Sequence, residues 1–261
     1  MLNAQNITVS IGEKDLVKDV TFQVASGELV ALCGPNGAGK STLLRVLSGE
    51  SPPTSGTVLF KDVALEQWAP SELSKSRAKL SQESQLTFAF LVREVVEMGR
   101  LPYDTPKENE RIVQQSMDKV GITHLSHRGY TSLSGGEKQR VHLARILAQL
   151  QDGTSDSKLL LLDEPTSALD LMHQEVALEI AYALAKEQGY GVVVVLHDLN
   201  LAAAWADRIV LLKEARRCYS GAPIDVLTPE IVREIYGVQV FVLSHPTTGR
   251  PILTINRDNK G

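Results

Sequence analysis

One stretch limits the fold more than any other. Cys33-Gly34-Pro35-Asn36-Gly37-Ala38-Gly39-Lys40-Ser41-Thr42 fills the G-x-x-x-x-G-K-[ST] template. Leu29-Val30-Ala31-Leu32-Cys33 ahead of it is a short apolar run that reads as a buried strand. Behind it, Thr42 to Ser48 is apolar at helical spacing, and Gly49 stands where a helix ends. Strand, glycine-rich loop and helix together make a phosphate cradle. The run Gly34, Pro35, Asn36, Gly37, Ala38, Gly39 turns backbone N–H groups onto phosphate oxygens, and the helix N-terminus adds partial positive charge. Lys40 reaches the β- and γ-phosphates, the Ser41 hydroxyl is a Mg²⁺ ligand, and Thr42 closes the run. The expected substrate is a nucleoside triphosphate.

The 261 residues, 43% hydrophobic and 22% charged, suit one or two domains with a sizeable core. A net charge of −4 gives no electrostatic reason to expect nucleic acid as a partner. With only Cys33 and Cys218, a disulfide framework is not expected. No run approaches the roughly 18 apolar residues of a membrane-spanning helix, and Met1 to Asn6 has neither a basic nor an apolar leader. The expectation is a cytosolic chain able to dock on a membrane protein.

Along the chain, Ile7–Val9, Val20–Val24 and Thr57–Phe60 read as strands of an antiparallel layer beside the nucleotide core. From about Ser71 to Tyr130, Pro, Ser, Glu and Lys separate helical segments around Val92–Gly99 and Lys107–Val120, which suggests an inserted helical subdomain. Leu159–Leu162 and Val192–Leu196 are continuous apolar runs, as parallel strands covered on both faces require. Ligands of such sheets sit at the carboxyl ends of the strands, which directs Asp163, Glu164 and His197 toward the phosphate loop. Thr228-Pro229-Glu230 opens a short helix that ends at Gly237, before two strands at Val238–Leu243 and Pro251–Ile255. The fold class is α/β: a mostly parallel sheet flanked by helices, an N-terminal antiparallel β layer and an inserted helical subdomain.

Leu133-Ser134-Gly135-Gly136-Glu137 carries a capping box, with Ser134 as N-cap and Glu137 at N3, followed by a helix that buries Val141, Ala144, Leu147 and Ala148. Two adjacent glycines weaken a helix start unless the backbone must approach something closely. The exposed N-terminus is a second anion site.

These residues together resemble the ATP-binding subunits of ABC transporters over essentially the whole chain. Gly34–Thr42 is similar to the Walker A loop of that P-loop NTPase family, Leu159–Asp163 to Walker B, and Leu133–Glu137 to the LSGGQ signature with Glu137 for the usual Gln. Gln82 is similar to the Q-loop residue, Ser167–Asp170 to the D-loop and His197 to the switch histidine. The resemblance implies one ABC ATPase domain over 1–261, with core and β layer in 1–70 and 155–261 and the helical subdomain in 71–154. It implies a head-to-tail dimer in which Ser134, Gly135 and Gly136 of one copy bind the γ-phosphate of ATP held by the other. By the same resemblance, Asp163 would hold Mg²⁺, Glu164 would act as general base, His197 would contact the γ-phosphate and orient the attacking water, Gln82 would link Mg²⁺ and water to the helical subdomain, and Asp170 would shape the interface. Ile11 falls where the family often stacks adenine on an aromatic ring, so base selectivity is in question.

Within the family, Gln82–Arg100, Leu227–Gly237 and His245–Pro251 are similar to importers of iron chelates, haem and cobalamin. Leu143–Leu150, the insert Gln151–Ser157 and Leu169–Gln174 resemble the haem importers most. The implied partners are a second copy, a transmembrane permease dimer docking near Gln82–Arg100 and, indirectly, a periplasmic binding protein, at the cytoplasmic face of the inner membrane. No direct contact with transported substrate is implied. The alternatives are a siderophore or cobalamin importer and a soluble assembly ATPase of the same family. Of the six histidines, all but His197 (His124, His127, His142, His173 and His245) are expected in surface or capping roles.

Overall fold

The computed structural model describes residues 1–81, 86, 88–151 and 157–256. The chain opens with β1 (Leu2–Ile11), β2 (Lys14–Val24) and β3 (Leu29–Cys33), then α1 (Lys40–Leu47), β4 (Ser55–Phe60) and β5 (Val63–Ala64). Next come α2 (Pro70–Ser76), β6 (Arg77–Leu80), α3 (Val92–Glu97) with a 3₁₀ turn at Met98–Arg100, α4 (Pro106–Lys119) and α5 (Gly135–Leu150). The remaining elements are β7 (Leu159–Asp163), α6 (Leu171–Gln188), β8 (Gly191–Val195), α7 (Leu199–Trp205), β9 (Arg208–Lys213) and β10 (Arg216–Gly221). They are followed by α8 (Pro223–Val226), α9 (Pro229–Tyr236), β11 (Val240–Ser244) and β12 (Pro251–Ile255).

The strands form a layer in the order β2-β1-β4-β5, a core sheet in the order β10-β9-β3-β8-β7-β6, and the hairpin β11-β12. In the core sheet β9, β3, β8, β7 and β6 run parallel, and only the β10 edge is antiparallel. Side chains alternate across a strand, so each apolar run divides between two layers. Ala31, Cys33, Leu160, Leu162, Val192 and Val194 face one hydrophobic cluster, shared with α3 to α7. Val30, Leu32, Leu159, Leu161, Val193 and Val195 face the other, shared with α1 and the antiparallel layer. Burial on both faces is why these strands read as unbroken apolar runs.

One strand falls inside the 71–154 stretch assigned to the helical subdomain. β6 has only four residues, alternating half-buried and buried, and pairs in parallel with β7. A four-residue segment with Arg77 and Lys79 on its polar positions carries little strand signal. β9 and β10 were not anticipated, although Ile209–Leu212 of β9 is an apolar run like those of β7 and β8, and the first two strands run longer than their alternating cores, to Leu2–Ile11 and Lys14–Val24. Among the described residues no helix is long and apolar enough to cross a membrane.

Leu161, fully buried between the core sheet and the antiparallel layer, should lose about 2–5 kcal/mol on truncation to Ala. Leu171→Ala, at a position 72% exposed, should stay within about 0.5 kcal/mol. Urea unfolding with a shifted midpoint and unchanged slope checks both. Equal effects would contradict the layer assignment.

Candidate functional site

The phosphate loop leaves the carboxyl end of β3 and is gripped by backbone on both sides. A methyl on Gly34 (φ 146°) would lie 2.2 Å from the carbonyl oxygen of Leu212 in β9. One on Gly39 (φ 97°) would lie 2.3 Å from that of Leu16 in β2. Only glycine fits either position. Cys33 beneath the loop is fully buried, and burial pushes its thiol up to about 12, so it acts as a small apolar residue.

Lys40 opens α1 and is buried, its ammonium donating to the carbonyls of Gly34 (2.8 Å) and Pro35 (2.9 Å). Desolvation pulls its pKa below the usual lysine value, opposed by the negative charge of Glu164 and Asp163. Ser41 donates to Asp163 Oδ1 at 3.1 Å, which brings together the two residues expected to hold Mg²⁺. Burial raises the pKa of Asp163, while the Ser41 hydrogen bond and Lys79 lower it. Hydroxyl and carboxylate oxygens are the donors Mg²⁺ takes, and it ordinarily adds waters and substrate phosphates to one or two such ligands. The site therefore fits the ion.

Glu164 follows at the end of β7 with φ 52°, a left-handed conformation that costs about 1–3 kcal/mol for a non-glycine residue. Several contacts hold it there. Its carbonyl accepts from Gln139 Nε2 (3.1 Å), Ser167 N (3.3 Å) and Ser167 Oγ (3.1 Å). Its carboxylate meets His197 Nε2 at 2.5 Å. The side chain of Glu164 is 13% exposed and that of His197 44%, so the pair sits at the cleft wall with the imidazole at its mouth. The cleft, of about 760 Å³, is lined by Asn36, Gly37, Gly39, Lys40, Ser41, Thr42, Glu164 and His197 on the phosphate side. Lys14, Asp15, Leu16, Glu214 and Ala215 line the rest.

Not every expected residue stands in this cleft. Ile11 is 70% exposed at the β1–β2 turn, paired with Lys14, and does not line it. Gln82 lies outside the described residues. Ser134 caps α5 as its spacing predicts: Glu137 N donates to Ser134 Oγ (3.3 Å), and Ser134 N donates to Glu137 Oε2 (2.8 Å). The bonds that the Ser134 backbone N–H and hydroxyl (2.9 Å) donate to Glu137 Oε2 hold the Glu137 carboxyl below its usual range. The second glycine also has a packing reason, since a methyl on Gly136 would lie 3.0 Å from Ala168 O, whereas one on Gly135 would sit at an ordinary 3.8 Å from Ala168 Cβ. Asp170 caps α6, accepting from His173 N (2.9 Å) and meeting His173 Nδ1 (2.6 Å), which keeps it well ionised.

The histidine expectation needs one correction. His142 is buried, not on the surface, with Nε2 2.8 Å from the Tyr130 hydroxyl. It lies on the inward face of α5 beside Val141, where apolar spacing alone would have placed it. Gln139 and the Glu214–Ala215 turn were missed. Neither carries a local motif, and both reach the site only through long-range packing.

The fold and site together define a nucleotide-hydrolysing cassette. The sequence profile of the ABC transporter family matches residues 17–167, and the chain belongs to that family. It is 47% identical over 252 residues to the hemin import ATP-binding protein HmuV of Vibrio parahaemolyticus, covering 96% of each chain. It is 48% identical to the HmuV of Gloeobacter violaceus, covering 97% of this chain and 93% of that one. Among solved structures, an inward-facing putative metal-chelate type ABC transporter superposes with a TM-score of 0.79 at 28% identity, over 98% of this chain and 96% of that one. A dimeric bacterial ABC transporter cassette gives 0.76 at 28% identity, over 85% of this chain and 98% of that one.

Glu164→Gln should leave the ATP dissociation constant within about threefold of wild type and lower kcat about 10²-fold or more. Lys40→Ala should instead weaken ATP binding about tenfold or more. Calorimetric titration beside a phosphate-release assay separates the two. Near-normal turnover in Glu164→Gln would exclude it as the base.

Proposed function

We propose that this chain is the ATP-hydrolysing subunit of a membrane importer whose cargo is haem. The observation that carries the catalytic part is the convergence of Lys40, Ser41, Glu164 and His197 on one cleft at the carboxyl edge of the core sheet, with Asp163 hydrogen-bonded to Ser41 behind it. The cargo reading is supported by full-length similarity to several proteins named as hemin import ATP-binding proteins. A wider metal-chelate cargo is the second reading, favoured by the structural neighbour that spans 98% of the chain.

In the proposed reaction, Lys40 and the loop amides orient the triphosphate. Ser41 and Asp163 would hold Mg²⁺, which when bound offsets negative charge on the β- and γ-phosphates. Glu164 accepts a proton from water as its oxygen bonds to the γ-phosphorus and the bond to the bridging oxygen breaks, leaving ADP and phosphate. His197 orients the Glu164 carboxylate and reaches the γ-phosphate from the cleft mouth. Gln82 would link the Mg²⁺ and the attacking water to the helical subdomain. Asp170 stands at the edge toward a second copy.

Within one chain, Ser134 at the start of α5 lines no part of the cleft, so we assign it to the γ-phosphate site of a second copy. ATP then glues the two copies, and hydrolysis releases them. The helical subdomain would carry this motion to a permease dimer. Of the apolar residues that could line its groove, Phe88 is 71% exposed while Val92 is buried, and the exposed Leu91 (38%) and Leu101 (82%) flank α3 nearby in sequence. The location this implies is the cytoplasmic face of the inner membrane, held by the permease, with a periplasmic binding protein delivering cargo.

Affinity purification of the tagged chain from detergent-solubilised membranes of its source tests the reading. A co-purified permease whose ATPase rises with haem-loaded binding protein is expected. Stimulation by a siderophore complex alone would replace the cargo, and absence of any membrane partner would overturn the importer reading.

A further inference from the structure

We infer that Gln139 is a positioning residue that couples the two ATP sites of the dimer by tying each signature helix to the general base of its own chain. The inference rests on the head-to-tail reading above and goes beyond it. In that arrangement the start of α5 serves the other copy's nucleotide, while Glu164 serves its own. A single helix therefore touches both sites.

The link is direct. Gln139 follows Ser134 by little more than one turn of α5, and its Nε2 donates to the carbonyl of Glu164 at 3.1 Å. Among the described residues the buried amide oxygen of Gln139 has no partner, and the side chain is held on Glu164 through its nitrogen. The first turn of α5 also rests on the loop that follows Glu164, with Gly136 against Ala168 O. That loop is secured in turn by Gln174, whose Nε2 donates to Thr166 O and Leu169 O, both at 3.1 Å. Helix and loop thus move together.

Glu164 is where such a link has leverage. Its backbone is held at φ 52° by bonds to its carbonyl, one of which comes from α5 and two from Ser167 in its own loop. A strained residue persists only while its surroundings fix it. A shift of α5 as Ser134 engages the second copy's γ-phosphate changes the pull on that carbonyl, and with it the aim of the carboxylate that His197 holds from the other side. ATP at one site then sets the base at the other, and by linkage the effect runs both ways.

The full chain tests this through steady-state ATPase against ATP concentration. Wild type should give a sigmoidal curve. Gln139→Met removes the donor while keeping side-chain length; it should lower kcat about tenfold and bring the Hill coefficient to about 1. Its half-saturating ATP, its urea midpoint and the ATP-driven dimer mass measured in a Glu164→Gln background should stay as in the parent. Gln139→Lys, which restores a donor, should recover the sigmoidal curve. An unchanged kcat and Hill coefficient in Gln139→Met, or a hyperbolic wild-type curve, overturns the coupling role. A wild-type-background Glu164→Gln chain that stays monomeric with ATP would instead remove the dimer reading on which the relay stands.

Discussion

The grip of backbone on the phosphate loop is the constraint on which the remaining site geometry depends. Gly34 lies against Leu212 of β9 and Gly39 against Leu16 of β2, each too close for a side chain. The loop is thereby fixed to both the core sheet and the antiparallel layer, and α1 starts from a defined point between them. Lys40 and Ser41 follow as the first residues of that helix, and Ser41 reaches Asp163 at the end of β7. The parallel sheet supplies the other half. β7 and β8 end level with the loop, so Glu164 and His197 emerge beside it and meet.

This half of the site was legible from sequence because its residues are local motifs on strands with strong apolar patterns. Asp163, Glu164 and His197 each follow a buried run, and the rule that ligands sit at the carboxyl ends of parallel strands gave their direction. The capping box at Ser134 and Glu137 was equally readable, because a cap is satisfied by residues three apart. What was not legible is what long-range packing decides. β6 is too short to show a period, Gln139 lies on a helix whose alignment with Glu164 no spacing encodes, and the Glu214–Ala215 turn between β9 and β10 enters the cleft from the sheet edge beside β3. His142 went astray because a polar side chain on an apolar face gives no sign of its buried partner, Tyr130.

Two features of the chain make sense only beyond a single copy. The N-terminus of α5 presents Ser134 and two glycines to solvent, yet the cleft that holds Lys40 does not include them. Leu171 and Met172, at 72% and 65% exposure, stand beside Asp170 where α6 begins. In the proposed head-to-tail pair, a second copy would bring the helix start to the γ-phosphate and cover this edge. The anion site and the phosphate loop would then close on one nucleotide, whose cleavage would open the pair.

Cross-linking addresses that arrangement most directly. In a Cys218→Ser, Glu164→Gln background, copies carrying Asn36→Cys are mixed with copies carrying Ser134→Cys and treated with a short bis-maleimide; Cys33 is buried and shielded. A covalent dimer is expected only in the mixture and only with ATP. A product that forms equally without nucleotide, or none when both copies and ATP are present, would contradict a site shared between two chains.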